Sequence, residues 1–263
     1  MYNHSQPTYQ KLCTEFYDLW PHPLEEEALP FYMHYAQQAQ GAILEPMCGT
    51  GRFLIPMLQA GFDAQGFDAS PFMLDALRQK YAAISTQQAP VWQQCAQDFT
   101  SDKLYKLIFV PYGSWGLMTS PDDATKALQR MYDHLAPGGK FVVEIETVAS
   151  APQSTGIWKH VDHTRTDGSQ LVLNFITSYN IDTQMFSSKS RYESIYDGLV
   201  TETEEENFTQ YLYRFDEMDS LLKTVGFTNI AKYQDHKKTP ATDLDAHLII
   251  YECTKETLSQ QNR

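Results

Sequence analysis

Ala42-Ile43-Leu44-Glu45-Pro46-Met47-Cys48-Gly49-Thr50-Gly51-Arg52-Phe53 is the stretch whose reading decides the fold. A short apolar run reads as a buried strand, an acid ends it, and a glycine loop then opens into a helix-like segment. That order builds a nucleotide pocket, and the spacing says which kind. A dinucleotide fingerprint needs a third Gly or Ala three residues after the second glycine, so that the helix can lie close to the strand. Leu54 stands there instead. Pro46 cannot donate to a sheet ladder, so the strand is expected to stop at Glu45 and leave that carboxylate at the carboxyl end of the sheet. Crevices outside those ends are where such folds bind ligands.

The chain of 263 residues, 42% of them hydrophobic, can bury one sizeable core and a small second lobe. No apolar stretch approaches the roughly 20 residues that a membrane helix requires. The amino terminus, with Tyr2, His4 and Gln6, offers neither a basic region nor an apolar core for export, so a cytoplasmic location is the expectation. Thirty-three acids against twenty bases give a net charge of -13, which argues against contact with phosphate backbones or anionic lipid. Cys13, Cys48, Cys95 and Cys253 are too far apart for a metal site or redox pair and read as mostly buried thiols, with no metal expected.

Working outward, the first 40 residues read as helical pieces. Tyr9, Leu12, Phe16, Leu19 and Trp20 recur near helical spacing before Pro21 and Pro23, and a second piece from Leu24 to Gln40 should break at Pro30. After Ala42, apolar runs alternate with helical patterns, as expected of a parallel sheet covered on both faces. The strands are expected over Ala42 to Glu45, Ala64 to Phe67, Val91 to Cys95, Leu107 to Val110 and Lys140 to Ile145. Pro56 should disturb the helix after the glycine loop. Ser70-Pro71 and Ser120-Pro121 are helix starts, the second with Asp122 and Asp123 in its first turn, and that helix stops before Pro137-Gly138-Gly139. From about Trp158 to Tyr213, β-branched and aromatic residues alternate with polar ones. With Asp167-Gly168 and Asp197-Gly198 as turns, this segment reads as a meander of about four antiparallel strands. A helix from Asp216 to Val225 closed by Gly226, strands over Asn229 to Gln234 and His247 to Cys253, and a polar tail after Lys255 complete the chain.

The expected architecture is a doubly wound α/β sheet whose last strand is antiparallel. A helical cap would occupy residues 1–40 and the nucleotide-binding domain 41–150 and 214–255. An antiparallel insertion over 151–213 would serve as a lid or dimer contact.

An acid ends the second strand too, in Gly66-Phe67-Asp68-Ala69-Ser70, roughly 20 residues past the glycine loop, as a ribose-binding carboxylate should be. Hydrogen bonds from a ribose diol to a charged acceptor are worth about 1.5 to 3 kcal/mol each.

Ile43-Leu44-Glu45 with Cys48-Gly49-Thr50-Gly51, followed by Phe67-Asp68-Ala69-Ser70-Pro71 and Met73-Leu74, resembles the class I S-adenosylmethionine-dependent methyltransferases. Gln97-Asp98-Phe99, Leu135-Ala136-Pro137-Gly138-Gly139, Leu221-Leu222 and Gly226-Phe227 extend the resemblance. It is strong over residues 42 to 146 and weak over the last 50. The resemblance implies S-adenosylmethionine as cofactor and S-adenosylhomocysteine as product. Glu45, Met47, Cys48, Gly49, Gly51 and Arg52 would surround the methionine end, with Glu45 near the amino group. Asp68 would hold the ribose, Ala69 and Met73 would flank the adenine, Asp98 would accept from its amine, and Phe99 and Pro111 would complete the wall. Met47 departs from the glycine that many family members have. Met73 also suits a core stripe, Asp98 a plain turn, and Cys48 simple packing.

For the acceptor side, Tyr17 from the leading helices, Tyr112 after the fourth strand and His160 from the meander are the candidate catalytic groups. Tyr9, Trp20, Trp115, Glu146, His163, Arg191 and Tyr192 are further pocket candidates, although a lone aromatic is more often core and a lone His or Arg a solvated strand residue. Glu202, Glu204, Glu205 and Glu206 read as a solvated face, with weak potential to steer a cationic amine. A small-molecule acceptor methylated at nitrogen or oxygen is expected, without nucleic acid or membrane partners, on a monomer or homodimer. The rivals are a nicotinamide-dependent oxidoreductase, disfavoured by Leu54, and a non-catalytic sensor or partner subunit that keeps the pocket.

Overall fold

A computed structural model describes residues 9–20 and 25–257. Two helices lead, α1 (Lys11–Leu19) and α2 (Glu25–Gln38). The alternating core follows as β1 (Ile43–Pro46), α3 (Leu54–Gln59), β2 (Ala64–Asp68), α4 (Pro71–Ala82), β3 (Val91–Gln93), β4 (Tyr105–Val110), α5 (Pro121–His134) and β5 (Leu135–Glu146). Four long strands come next, β6 (Trp158–Thr164), β7 (Gln170–Asn180), β8 (Met185–Tyr196) and β9 (Leu199–Tyr211), and then α6 (Glu217–Val225), β10 (Thr228–Tyr233) and β11 (Leu248–Thr254).

The core strands form one seven-stranded sheet in the order β10-β11-β5-β4-β1-β2-β3, in which β11 runs antiparallel to both neighbours. Alternation along each strand sends side chains to two faces. On one, Ile43, Phe109 and Val142 meet Tyr32, Leu54 and Leu77 of α2, α3 and α4. On the other, Leu44, Ile108 and Val143 meet Leu128, Met131 and Leu222 of α5 and α6. The sheet is therefore doubly wound, with its crevice at the carboxyl ends of β1, β2, β4 and β5. Ser70 and Ser120 cap α4 and α5 through the backbone N–H groups of Met73 and Asp123, each with proline at the first turn.

Several boundaries differ from the sequence reading. β1 continues to Pro46, which lies in register with Phe67 and needs no donor to do so. α2 runs unbroken through Pro30. Burial of Ala28, Phe31, Tyr32, Tyr35 and Ala36 holds it together, while Pro30 lies on the exposed side, where a carbonyl it leaves without an intrahelical donor is open to solvation at low cost. Pro56 falls in the first turn of α3, where its missing N–H has no intrahelical partner to lose, so no irregularity follows. β5 begins at Leu135 and takes in Pro137-Gly138-Gly139, because Gly138 donates its N–H to the Lys255 carbonyl and Lys255 donates its own to the Gly139 carbonyl, just past the end of β11. β3 stops at Gln93, and the chain turns into a single 3-10 turn over Ala96–Asp98. Tyr9 precedes α1 with φ +58°, and Leu19 and Trp20 are each 42% exposed. The Pro21 and Pro23 break, the start of the second piece at Leu24 and the tail beyond Thr257 lie outside the described residues.

The meander folds as expected, a second sheet in the order β6-β7-β8-β9 with every pair antiparallel. Its inner face packs on α1: Leu171, Leu173 and Tyr192 share one buried cluster with Leu12, Cys13 and Phe16. The acidic run is a solvated face only in part: Glu202 and Glu205 are exposed, while Glu204 and Glu206 turn to α1. Glu204 accepts the backbone N–H groups of Leu12 and Cys13, both at 2.9 Å, and Glu206, 6% exposed, accepts that of Gln10 at 2.5 Å. Glu202 pairs with Lys11 at 2.7 Å, and Arg165 forks onto Glu15. These acids satisfy the orphan donors and positive end of α1, which Gln10 does not cap with its own side chain. Glu205 faces outward, toward Arg191.

Candidate functional site

Between β1 and α3 the backbone takes the left-handed region three times, at Met47 (φ +57°), Gly49 (φ +52°) and Gly51 (φ +85°). Gly51 could carry no side chain, since a Cβ there would lie 2.9 Å from Leu77 Cγ. At Gly49 a Cβ would meet only Met73 Sδ, at 3.9 Å, so the strand-end crevice is open above it. Met47 bears the steric cost that glycine would avoid, about 1 to 2 kcal/mol.

Two carboxylates face this loop from adjacent strands. Asp68 bridges it, Oδ2 accepting from Gly49 N at 2.9 Å and Oδ1 from Ser70 N at 2.8 Å. Each oxygen retains acceptor capacity for a further donor. Glu45 is 2% exposed and accepts the backbone N–H of Leu54, but its Oε2 has no hydrogen-bond partner among the described residues. Burial pushes the Glu45 carboxyl well above the usual range, Asp68 pushes it further, and the Leu54 N–H opposes both. Burial also raises Asp68, against the pull of its backbone donors.

The cap roofs the crevice. Ser70 Oγ donates to the Tyr9 carbonyl at 2.7 Å, while Thr50 Oγ1 donates to Asp18 at 2.5 Å. Arg52 donates to the carbonyls of Tyr17 and Trp20, and its guanidinium lies 4.3 Å from the centre of the Tyr17 ring. Burial raises the Tyr17 hydroxyl to about 12, with Arg52 opposing and Glu45, Asp18 and Asp68 reinforcing, so the hydroxyl feels the same crevice. Met73 is buried in the wall, whereas Ala69 and Asp98 are exposed along its rim. Phe99 is fully buried, stacked on Phe67 at 4.9 Å, and its ring belongs to the core.

Across the crevice, Pro111 follows β4, and Tyr112 (φ +56°) and Gly113 (φ +66°) turn the chain. Tyr112 donates its backbone N–H to Glu144 at 3.0 Å, and its ring meets Phe53 at 4.9 Å. Gln210 of β9 donates to the Gly113 carbonyl at 3.3 Å. Beyond it, a cavity of about 270 Å³ opens between β5 and the inner face of the second sheet, lined by Glu146, Ser150, Lys159, Phe175, Thr177 and Phe186. Burial raises the Glu146 carboxyl, and hydrogen bonds from Gln210 and Ser150 hold it down.

Residues 43–139, which hold the glycine loop and both strand-end carboxylates, match a family model described as a methyltransferase domain. The chain carries a methyltransferase domain. Solved structures agree with this at the level of fold. The CcbJ methyltransferase of Streptomyces caelestis is 22% identical, with a TM-score of 0.76 over 95% of this chain and 98% of that one. An S-adenosylmethionine-dependent methyltransferase of Clostridium acetobutylicum is 16% identical, with a TM-score of 0.76 over 92% and 98%. The sugar N-methyltransferase KedS8 of Streptoalloteichus is 19% identical, with a TM-score of 0.72 over 97% and 99%. The nicotinamide reading falls, because the methyltransferase model covers the very loop on which it rested.

The methyltransferase domain gathers Glu45, Met47, Cys48, Gly49, Gly51, Asp68 and Met73 around one crevice, with Tyr17 and Arg52 in its roof. Cys48 is 4% exposed and fills the space beside Gly66, as packing. His160 is a correction. It stands on the outer face of edge strand β6, exposed, with Nδ1 2.9 Å from Asn174 Oδ1 and Nε2 3.7 Å from Asp162. Alternation sends Lys159, Val161 and His163 inward and His160 outward, and only the pairing register decides which. His163 packs on Phe16 at 5.2 Å, Tyr192 joins the same cluster, and Arg191 pairs outward with Glu193 at 2.8 Å. Sequence reasoning missed Glu144, Tyr32 and His236, although an acid inside Phe141-Val142-Val143-Glu144-Ile145 breaks an apolar strand and was a usable signal.

Proposed function

We propose that the chain transfers a methyl group from S-adenosylmethionine to a nitrogen or oxygen of a small acceptor seated in the cavity beside Glu146. The observation that carries this reading is the buried, unpartnered Oε2 of Glu45 beneath a glycine cradle, with Asp68 beside it. An orphaned buried carboxylate oxygen suits a ligand ammonium, since an unmet buried acceptor is costly. The residues present therefore fit the cofactor. Glu45 would take the amino group, and Met47, Gly49 and Gly51 would leave room for the methionine chain. Asp68 would accept from the ribose diol, Ala69 and Met73 would flank the adenine, and Asp98 would accept from its amine. Phe99 would back this wall from the core, and Pro111 would face the crevice through its backbone.

When bound, the cofactor supplies a sulfonium whose methyl is already electrophilic. The chain's own task is positioning, worth about 7 to 11 kcal/mol when reacting groups are held in line. Arg52 fixes the backbone of the cap, Tyr17 and Tyr9 close the crevice against water, and Tyr112 and Gly113 separate cofactor from acceptor. Glu146 would accept a hydrogen bond or proton from an acceptor N–H or O–H, and a raised carboxyl suits that role near neutral pH. The likeness to a sugar N-methyltransferase supports a nitrogen acceptor on a hydroxyl-rich molecule, which the polar lining of Ser150, Thr177 and Lys159 also favours. The cap and the β6–β9 sheet would act together as a lid.

S-adenosylhomocysteine at about 100 times its dissociation constant should add about 2.7 kcal/mol of stability and raise the melting temperature by several degrees. No shift at millimolar ligand sinks the reading. Labelled methyl transfer across a panel of amino and hydroxyl acceptors tests the reaction; binding without product would favour the sensor.

A further inference from the structure

Beneath the crevice, three donors from three parts of the chain converge on one buried carboxylate. Glu144 of β5 is fully buried; its Oε1 accepts from Tyr32 Oη of α2 at 2.6 Å and from His236 Nε2, after β10, at 2.8 Å. Its Oε2 accepts the backbone N–H of Tyr112 at 3.0 Å. An acid this deep is tolerated only when its acceptor sites are met. The arrangement also has a direction: two donors pin one oxygen, so the other is held still against a loop whose own geometry is unfavourable.

That loop is Tyr112-Gly113, with consecutive left-handed residues at φ +56° and +66°. A tyrosine side chain is sterically disfavoured there, so the turn needs an external tie. Both sides of the reaction touch it. Phe53, the residue after Arg52, meets the Tyr112 ring at 4.9 Å and the Tyr32 ring at 5.2 Å. Gly113 lies so close to Glu146 that a Cβ on it would stand 3.1 Å from Glu146 Cγ and 3.4 Å from Gln210 Nε2.

We propose that Glu144 is a positioning residue for methyl transfer: pinned by Tyr32 and His236, it holds the Tyr112-Gly113 turn at the seam between the cofactor crevice and the Glu146 cavity. The inference rests on the cofactor reading above for its ligands, and on the loop geometry alone for its structural part. Glu144 touches neither ligand. Its loss should act where the transferred group sits and spare the ribose and amino contacts at Asp68 and Glu45.

The test compares Glu144→Gln with the wild type by calorimetry against S-adenosylhomocysteine and sinefungin, whose amine stands where the transferable methyl would. Affinity for S-adenosylhomocysteine should hold within about twofold and that for sinefungin fall at least tenfold, because glutamine cannot accept from all three donors. The Tyr112 amide should exchange at least tenfold faster with solvent. Tyr32→Phe removes one donor at nearly constant volume; it should move the sinefungin preference and the Tyr112 exchange in the same direction, by at least threefold. An unchanged ratio, or equal loss of both ligands, in folded Glu144→Gln overturns the proposal. Should that variant not fold, unchanged exchange at Tyr112 in Tyr32→Phe overturns it instead. If the wild type binds neither compound, the cofactor reading fails, and Tyr112 exchange still decides the role of Glu144.

Discussion

Asp68 and Glu45 sit within the same crevice but do different work, and their titration separates them. Asp68 already spends part of its accepting capacity on Gly49 and Ser70, which shapes the cradle before any ligand arrives. Asp68→Ala should weaken S-adenosylhomocysteine at least tenfold, about 1.4 kcal/mol. Retained affinity in calorimetry would mean the ribose is held elsewhere. Glu45 is raised by burial, then by Asp68. A carboxyl raised in the folded state favours folding in its protonated form. That contribution is complete below the unfolded value, about 4.3, and is lost as pH climbs through the folded value. A ligand ammonium prefers the ionised carboxylate, so binding should expel a proton, and affinity should rise as pH climbs above the usual carboxylate range. Titrations in buffers of different ionisation enthalpy would reveal the proton, and Glu45→Gln should abolish it. Proton uptake in the wild type would contradict the assignment.

At the scale of elements, α1 is a helix whose amino end is capped from another sheet. Its first turn holds no acid of its own, and the carboxylates of Glu204 and Glu206 arrive from β9. Glu204→Ala removes two bonds to the helix end and should cost about 1 to 2 kcal/mol. Hydrogen exchange at Leu12 and Cys13 should quicken about tenfold, while the seven-stranded sheet keeps its protection. Unchanged exchange would mean that the apolar cluster alone holds the helix. Glu204 shows what a single sequence conceals: it lies 192 residues from Leu12, and an acidic run looks like a solvated face until its partner is known. The serine-proline starts of α4 and α5 were legible because cap and capped group lie within three residues.

On the scale of the whole molecule, cap and second sheet share a core that neither owns alone. Phe16 packs on Tyr192 at 5.7 Å, and Leu12 and Cys13 complete the cluster with Leu171 and Leu173. Removal of residues 1–20 should expose that face, so the β6–β9 sheet should lose protection and bind a hydrophobic dye while the seven-stranded sheet stays folded. Intact protection of β7 and β8 would show that the insertion stands by itself. No helix among the described residues is long and apolar enough to cross a membrane.

The local chemistry was readable from the chain: an apolar run, an acid and two glycines at fixed spacing dictate a strand, a turn and a cradle, because each depends on neighbours a few residues away. Glu45, Gly49, Gly51 and Asp68 could be named for that reason. Tertiary structure alone decided the rest. It carried α2 through Pro30, turned His160 outward by strand register, enlisted Glu204 and Glu206 as caps, and buried Glu144 between Tyr32 and His236, which lie 112 and 92 residues away. Burial and register are properties of the packed chain, and both set the charge and direction of a side chain without changing its place in the sequence.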